Sequence, residues 1–315
     1  MIATLTLNPT IDESTAISQV VPERKLRLEE PVREPGGGGL NVARAVRELG
    51  GDALAIWTQG GHTGALLGEI LAAESLPSRP VPVRDATRTS LIVLETASGL
   101  QYRFGFPGPA LDEREIEDVL DALLTIDPPP RFIVASGSMP RGVPVDFHAR
   151  LVRAALERGT RVIVDTSGEP LRQALGTGVF LVKPNLRELS SLSGRELDNE
   201  ADIEQAACRL VGTHGAEVVL ASLGAGGAVL AWAGGCERIH APLVPVRSKV
   251  GAGDSSVAGM VVALERGLSV PEAARYAIAA GAASVMTPGT QLCRRTDVER
   301  LYREVEHADP RPASD

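Results

Sequence analysis

Short runs rich in β-branched residues alternate with amphipathic stretches through most of this 315-residue chain, and that alternation leaves few folds open. Parallel strands need long crossovers, and the crossover helices cover both faces of the sheet, so such strands read as continuous apolar runs. "FIVASG" (Phe132 to Gly137), "RVIVDTSG" (Arg161 to Gly168), "VFLVKPN" (Val179 to Asn185) and "EVVLASLG" (Glu217 to Gly224) are runs of this kind. Between them, "VDFHARLVRAALERG" and "ADIEQAACRLVGTHG" carry apolar residues at the three- and four-residue spacing of a helix, the first closing on Gly159 as a C-cap. The fold class expected is α/β: a doubly wound, mostly parallel sheet flanked by helices.

Ligands in such sheets bind beyond the carboxyl ends of the strands, where the following loops converge. That rule selects Ser138, Asp165, Lys183, Asn185, Ser222 and Gly224. Two stretches break the alternation, Thr10 to Pro35 and Val81 to Phe106, and the second reads as strand, turn at Ala97 to Gly99, strand. They are expected to form a small β-sheet, a lid from about residues 10–35 and 81–106 inserted in one domain spanning 1–315. A sheet of that size has open faces and edges, so it either closes over a ligand or pairs with a partner subunit.

A net charge of −8 disfavours a nucleic-acid-binding surface. No uncharged apolar stretch reaches about 18 residues, and "MIATLTLNPTID" has no basic leader segment, so neither a membrane span nor export is expected. Cys208, Cys236 and Cys293 are odd in number and widely spaced, which suits reduced thiols in the cytoplasm rather than a disulfide framework. His62, His148, His214, His240 and His307 show no pairing at metal-ligand spacing. The polar tail from Glu306 to Asp315 is expected to fray.

Three stretches carry chemistry. "EPGGGGLNVARAVRELGG" sets four glycines ahead of an amphipathic helix, either as a flexible loop or as backbone that approaches a ligand, with Asn41 one turn in to read sugar hydroxyls. "VKPNLREL" brings Lys183, Asn185 and Glu188 together. Oxygen ligands there suit Mg²⁺ and the ammonium suits a phosphate, while helix capping from Asn185 is the competing reading. "SKVGAGDSSVAGM" runs Gly251, Ala252 and Gly253 into Asp254, which reads equally as an N-cap and as a functional carboxylate. Neither a G-x-G-x-x-G fingerprint nor a G-x-x-x-x-G-K-[ST] loop occurs. Only three of the 32 basic residues are lysine, Lys25, Lys183 and Lys249, and all lie in or beside these stretches.

Together with "TLTLNPTID", "PERKLR", "QYRF", "SGSMP", "VDTSGE" and "GTQLC", the paired "GGGGLNVARA" and "VGAGDSSVAG" motifs resemble the ribokinase-like sugar kinases, the phosphofructokinase B family, from Met1 to about Cys293. The resemblance implies an ATP- and Mg²⁺-dependent phosphotransferase on the expected fold, a homodimer through its β lid, and a sugar phosphate as the small-molecule partner, with no nucleic acid and no membrane. It implies that Asp12, Gly37, Gly38, Asn41 and Ser138 hold the sugar, and that Arg88, Lys25 and Arg103 handle its phosphate. Lys183, Asn185, Ser222, Gly224, Gly227 and Ser248 would face the nucleotide, with Glu188 and Asn185 organising Mg²⁺ through water. Asp254 would be the catalytic base, beside an anion hole of the Gly251, Ala252 and Gly253 N–H groups. The activity implied is transfer of the γ-phosphoryl group of ATP to the 1-hydroxyl of fructose 6-phosphate; the alternatives are a tagatose-6-phosphate kinase, a 1-phosphofructokinase and a non-catalytic sugar-phosphate sensor. Some members use K⁺ at a loop near Thr287, where close relatives carry an amide. Lys249 stands where the family pattern has a small residue, and it is expected to point to solvent.

Overall fold

Residues 1–212 and 215–308 are described here by a computed structural model. His214 and residues 309–315 of the tail expected to fray lie outside the described residues, while the tail's first three residues end α10.

The larger of two sheets has nine strands in the order β13-β12-β11-β10-β9-β8-β1-β4-β5. In chain order they are β1 (Ile2–Thr6), β4 (Ala53–Gln59), β5 (Ser78–Pro82), β8 (Phe132–Ser136), β9 (Arg161–Asp165), β10 (Leu181–Val182), β11 (Val218–Ser222), β12 (Ala228–Trp232) and β13 (Gly235–Ile239). Neighbours from β11 through to β5 are parallel, with Leu5 of β1 opposite Ile56 on one side and Ala135 on the other; β11, β12 and β13 form an antiparallel edge. The expected sheet is present, with one local difference. Regular pairing along "VFLVKPN" is confined to Leu181 and Val182, because Pro184 has no N–H to add to the ladder; its carbonyl instead accepts from Ser222 N at 2.8 Å.

The smaller sheet, β3-β2-β6-β7, draws all four strands from the two stretches that break the alternation: β2 (Thr10–Ile17), β3 (Val32–Gly36), β6 (Arg88–Glu95) and β7 (Gln101–Gly105). Its central pair, β2 and β6, is parallel, with Asp12 opposite Ser90.

Helices α1 (Gly38–Glu48), α2 (Gly61–Ala73), α8 (Ala252–Glu265), α9 (Val270–Val285) and α10 (Arg295–Ala308) cover one face of the large sheet. The other face is covered by α3 (Glu113–Leu124), α4 (Phe147–Glu157), α5 (Glu169–Ala174), α6 (Leu186–Ser193) and α7 (Glu200–Arg209). The α8 helix is apolar almost all round because α1 and α9 enclose it. A Cβ at Gly259 would lie 2.7 Å from Ala280 Cβ, so α9 packs this closely only against a glycine. That contact fixes the depth of α8, and with it the position of Asp254 in its first turn.

Among the described residues no helix is long and apolar enough to cross a membrane. The three cysteines are unpaired, as the sequence suggests, although Cys208 and Cys236 come into contact; burial and this neighbour raise the Cys236 thiol to about 12.

Candidate active site

The small sheet, the first turns of α1 and α8 and the loops leading into them enclose a cavity of about 530 Å³. Its wall includes Asp12, Arg88 and Arg103 from the small sheet, Gly37 and Asn41 from the start of α1, and Lys249, Gly251 and Asp254 from the start of α8. Residues separated by more than 200 positions in the chain therefore meet here.

The glycines ahead of α1 are there for close approach. Gly37 has φ 111°, a conformation open to glycine, while a Cβ at Gly38 would collide with Ser136 Oγ and one at Gly39 with the Leu5 carbonyl. The helix start is thereby pressed against the ends of β1 and β8, and Asn41 is aimed across the cavity. Its amide Nδ2 donates to Asp254 Oδ2 at 2.8 Å.

Asp254 is not an N-cap. That position belongs to Gly251 at φ 76°, and Asp254 is the third residue of α8. The first intrahelical bond runs from Ser255 N to Gly251 O, so the N–H groups of Gly251, Ala252 and Gly253, together with that of Asp254, have no intrahelical acceptor. Although the Asp254 side chain opens on the cavity, protein packed around it raises its carboxyl to about 6 by desolvation; the Asn41 hydrogen bond and Lys183 oppose that shift, and Asp165 and Asp12 add to it.

Lys183 is buried and reaches the same helix end, 3.4 Å from where a Gly253 Cβ would stand. Its Nζ pairs with Asp165 Oδ1 at 3.3 Å. Burial pulls the ammonium pKa down, but attraction from Asp165 and Asp254 outweighs burial and the net shift is upward, so Lys183 is a fixed cation. Asp165 satisfies the strand-end rule, yet its role as the partner of Lys183 is visible only in the fold.

Asn185 and Glu188 form a reciprocal capping box on α6: Asn185 Oδ1 accepts from Glu188 N and Glu188 Oε2 accepts from Asn185 N, both at 2.9 Å. The capping reading is realised, and the second Glu188 oxygen has no hydrogen bond among the described residues. No group of three His, Cys, Asp or Glu side chains gathers as a metal cage among those residues. Asn185 is bridged to Ser222, Gly224 has φ 59° with open space where a side chain would be, and a Cβ at Gly227 would strike the Ile239 carbonyl. Ser248 is engaged in the loop itself, its hydroxyl donating to Gly289 O at 2.6 Å and accepting from Val250 N at 3.2 Å.

On the sugar side, desolvation raises the Asp12 carboxyl and the nearby Arg103 and Arg88 partly offset it. Arg88 donates to Asn8 O at 3.3 Å and Phe106 O at 3.5 Å while its Nε is buried without a partner among the described residues. Ser138 accepts from Asn8 Nδ2 at 3.0 Å. Lys25 is exposed between β2 and β3 and is not among the residues lining this cavity. Lys249 is exposed, as expected, but it stands on the cavity wall rather than away from it. Sequence reasoning missed Asn8 and Ser90, although "LNP" directly after β1 satisfies the same strand-end rule.

The profile of the pfkB family carbohydrate kinases matches residues 5–297. The chain is 44% identical over 302 residues to the ATP-dependent 6-phosphofructokinase isozyme 2 of Escherichia coli, covering 96% of this chain and 97% of that one. A tagatose-6-phosphate kinase of Staphylococcus epidermidis is 30% identical over 97% of this chain and 99% of its own. Solved structures of phosphofructokinase-2 from E. coli, one in complex with potassium and one in a tetrameric inhibited form, superpose with TM-scores of 0.93 and 0.91 at 44% and 43% identity, over 97% of this chain and 99% of theirs.

Proposed function

This chain belongs to the pfkB family of carbohydrate kinases, and from that premise we propose that it transfers the γ-phosphoryl group of ATP to the 1-hydroxyl of fructose 6-phosphate, giving fructose 1,6-bisphosphate and ADP. The observation that carries the reading is one cavity with a carboxylate beside a helix N-terminus at one end and two arginines at the other. A substrate with a hydroxyl to be phosphorylated at one end and a phosphate at the other fits that polarity.

In this mechanism Asp12 and Asn41 on the cavity wall orient the sugar, with Ser138, which hydrogen-bonds Asn8 outside that wall, and Arg88 and Arg103 hold its 6-phosphate. The 1-hydroxyl oxygen attacks the γ-phosphorus as the bond to the β,γ-bridging oxygen breaks, and the hydroxyl proton passes to Asp254. A carboxylate raised to about 6 accepts a proton more readily than an ordinary one and is still ionised at pH 7. Asn41 fixes the carboxylate and leaves its second oxygen for the hydroxyl. The α8 N–H groups and Lys183 face the charge that develops on the transferred group, and most of the rate acceleration comes from this positioning.

Glu188 suits Mg²⁺, because the capping box holds its carboxylate still with one oxygen free to face a hydrated cation. Bound there through water with Asn185, the ion would neutralise charge on the ATP phosphates. Near Thr287 the single hydroxyl hydrogen of that residue is shared between the carbonyls of Ser284 and Gln291, and Ser248 donates to Gly289 O; these carbonyls keep a lone pair each, and no step is assigned to K⁺ there.

The small sheet and its turn carry exposed Val32, Leu94 and Leu100, with Phe104 at 50% exposure, apolar surface that a second copy of the chain would cover. A homodimer through this lid and a cytoplasmic location, where ATP and sugar phosphates are held, belong to the same proposal. The test is ADP release across fructose 6-phosphate, tagatose 6-phosphate, fructose 1-phosphate and ribose. The highest kcat/KM is expected for fructose 6-phosphate; preference for an unphosphorylated sugar would overturn the reading.

A further inference from the structure

We propose that Lys249 binds the phosphoryl group newly placed on the sugar, so that this chain holds a sugar bisphosphate more tightly than its cavity otherwise allows. The inference rests on the phosphotransfer reading above and assigns a residue to one end of the same site.

The charges of the cavity divide between its two ends. Arg88 and Arg103 come from the small sheet, with Asp12 near both. At the other end lie Asp254 and the first turn of α8, and the transferred phosphoryl group must sit against both. Peptide N–H groups attract it, but an adjacent carboxylate repels it. Lys183, the buried cation of that end, is already paired with Asp165. Lys249, two residues before Gly251 and on the cavity wall, is exposed and makes no ion pair among the described residues. It is the cation at that end whose charge is not already balanced by a paired carboxylate.

The backbone around Lys249 is held while its side chain is not. Arg247 N donates to Val285 O at 2.7 Å, Ser248 Oγ to Gly289 O at 2.6 Å, and Val250 N to Ser248 Oγ at 3.2 Å. A fixed Cα with a long flexible stem and a compact ammonium suits a group that occupies two positions, on the nucleotide before transfer and on the sugar after it. The ordinary outcome for an exposed lysine is solvation with no effect on binding. Its place on this wall, two residues before the start of α8, is what separates the two readings.

The test is calorimetric titration of the unmodified protein, Lys249→Met and Lys249→Arg with fructose 1,6-bisphosphate, fructose 6-phosphate and ADP. A hydrogen bond to a charged group is worth enough to predict about tenfold weaker bisphosphate binding in Lys249→Met. Fructose 6-phosphate and ADP should each change less than about twofold, and Lys249→Arg should restore most of the bisphosphate affinity. Equal losses for both sugars, a loss confined to ADP, or no loss at all would each overturn the assignment. If the unmodified protein binds neither sugar, the fructose 6-phosphate reading itself falls; if it binds both and Lys249→Met changes nothing, this assignment falls alone.

Discussion

The two sheets use the same strand-forming chemistry in opposite settings. Every residue of β1 and β8 is buried, whereas β7 is exposed at four of its five positions and β3 at two. The large sheet is covered by helices on both faces and, with α8, holds Lys183 and Asp254; the small sheet, more exposed, contributes the cavity arginines. Asp254 and Lys183 thus lie on the enclosed body, and Arg88 and Arg103 on the more exposed sheet.

The largest separation of the two parts should come from Asp254→Asn. Loss of the base is expected to lower kcat by about a thousandfold with little change in sugar-phosphate affinity, because the arginines are untouched. The same variant should be more stable, not less. The folded-state pKa of Asp254 is raised above the unfolded value, so its contribution is fully present below about pH 4 and is lost as pH rises through about 6; at pH 7 the buried charge costs stability. Chemical denaturation at pH 7 should show a gain of about 1 kcal/mol, reduced by the lost attraction to Lys183. Unchanged turnover would remove Asp254 from the base role.

Next in size is a pair of substitutions, one in each part. Gly259→Val forces α8 away from α9 and should destabilise the protein by about 3 kcal/mol, with loss of activity following from the displaced Asp254. Leu100→Ser, on the exposed small sheet, should leave thermal stability of the body within about 0.5 kcal/mol and weaken self-association, read by sedimentation. Equal destabilisation by both would show that the small sheet is as integral to the core as α8. The smallest effect is on pH: kcat/KM should fall about tenfold per unit below pH 6 and level off above it, and a profile flat to pH 5 would place the controlling group elsewhere.

Much of this site is legible in the sequence because its residues follow local rules. Lys183, Asn185 and Ser222 stand at strand ends, and Asn185-x-x-Glu188 has the spacing of a capping box. Asp254 was ambiguous for a local reason too: Gly-Ala-Gly-Asp allows a helix to begin at any of several residues, and packing against α9 chose Ala252. Asn8 and Ser90 escaped notice because their partners, Ser138 and Thr10, are about 130 and 80 residues away.

Apolar periodicity and strand-end chemistry, both short-range properties, are enough to determine from the sequence an α/β body, a separate small sheet and where its ligands bind, while the phosphotransferase reading comes from the resemblance of the glycine-rich motifs to a known family. The parallel pairing of β2 with β6, the raised pKa of Asp254 and the place of Lys249 on the cavity wall were decided by the tertiary structure alone. Each depends on which distant groups exclude water from, or bring charge to, one point in space, and a linear pattern does not carry that information.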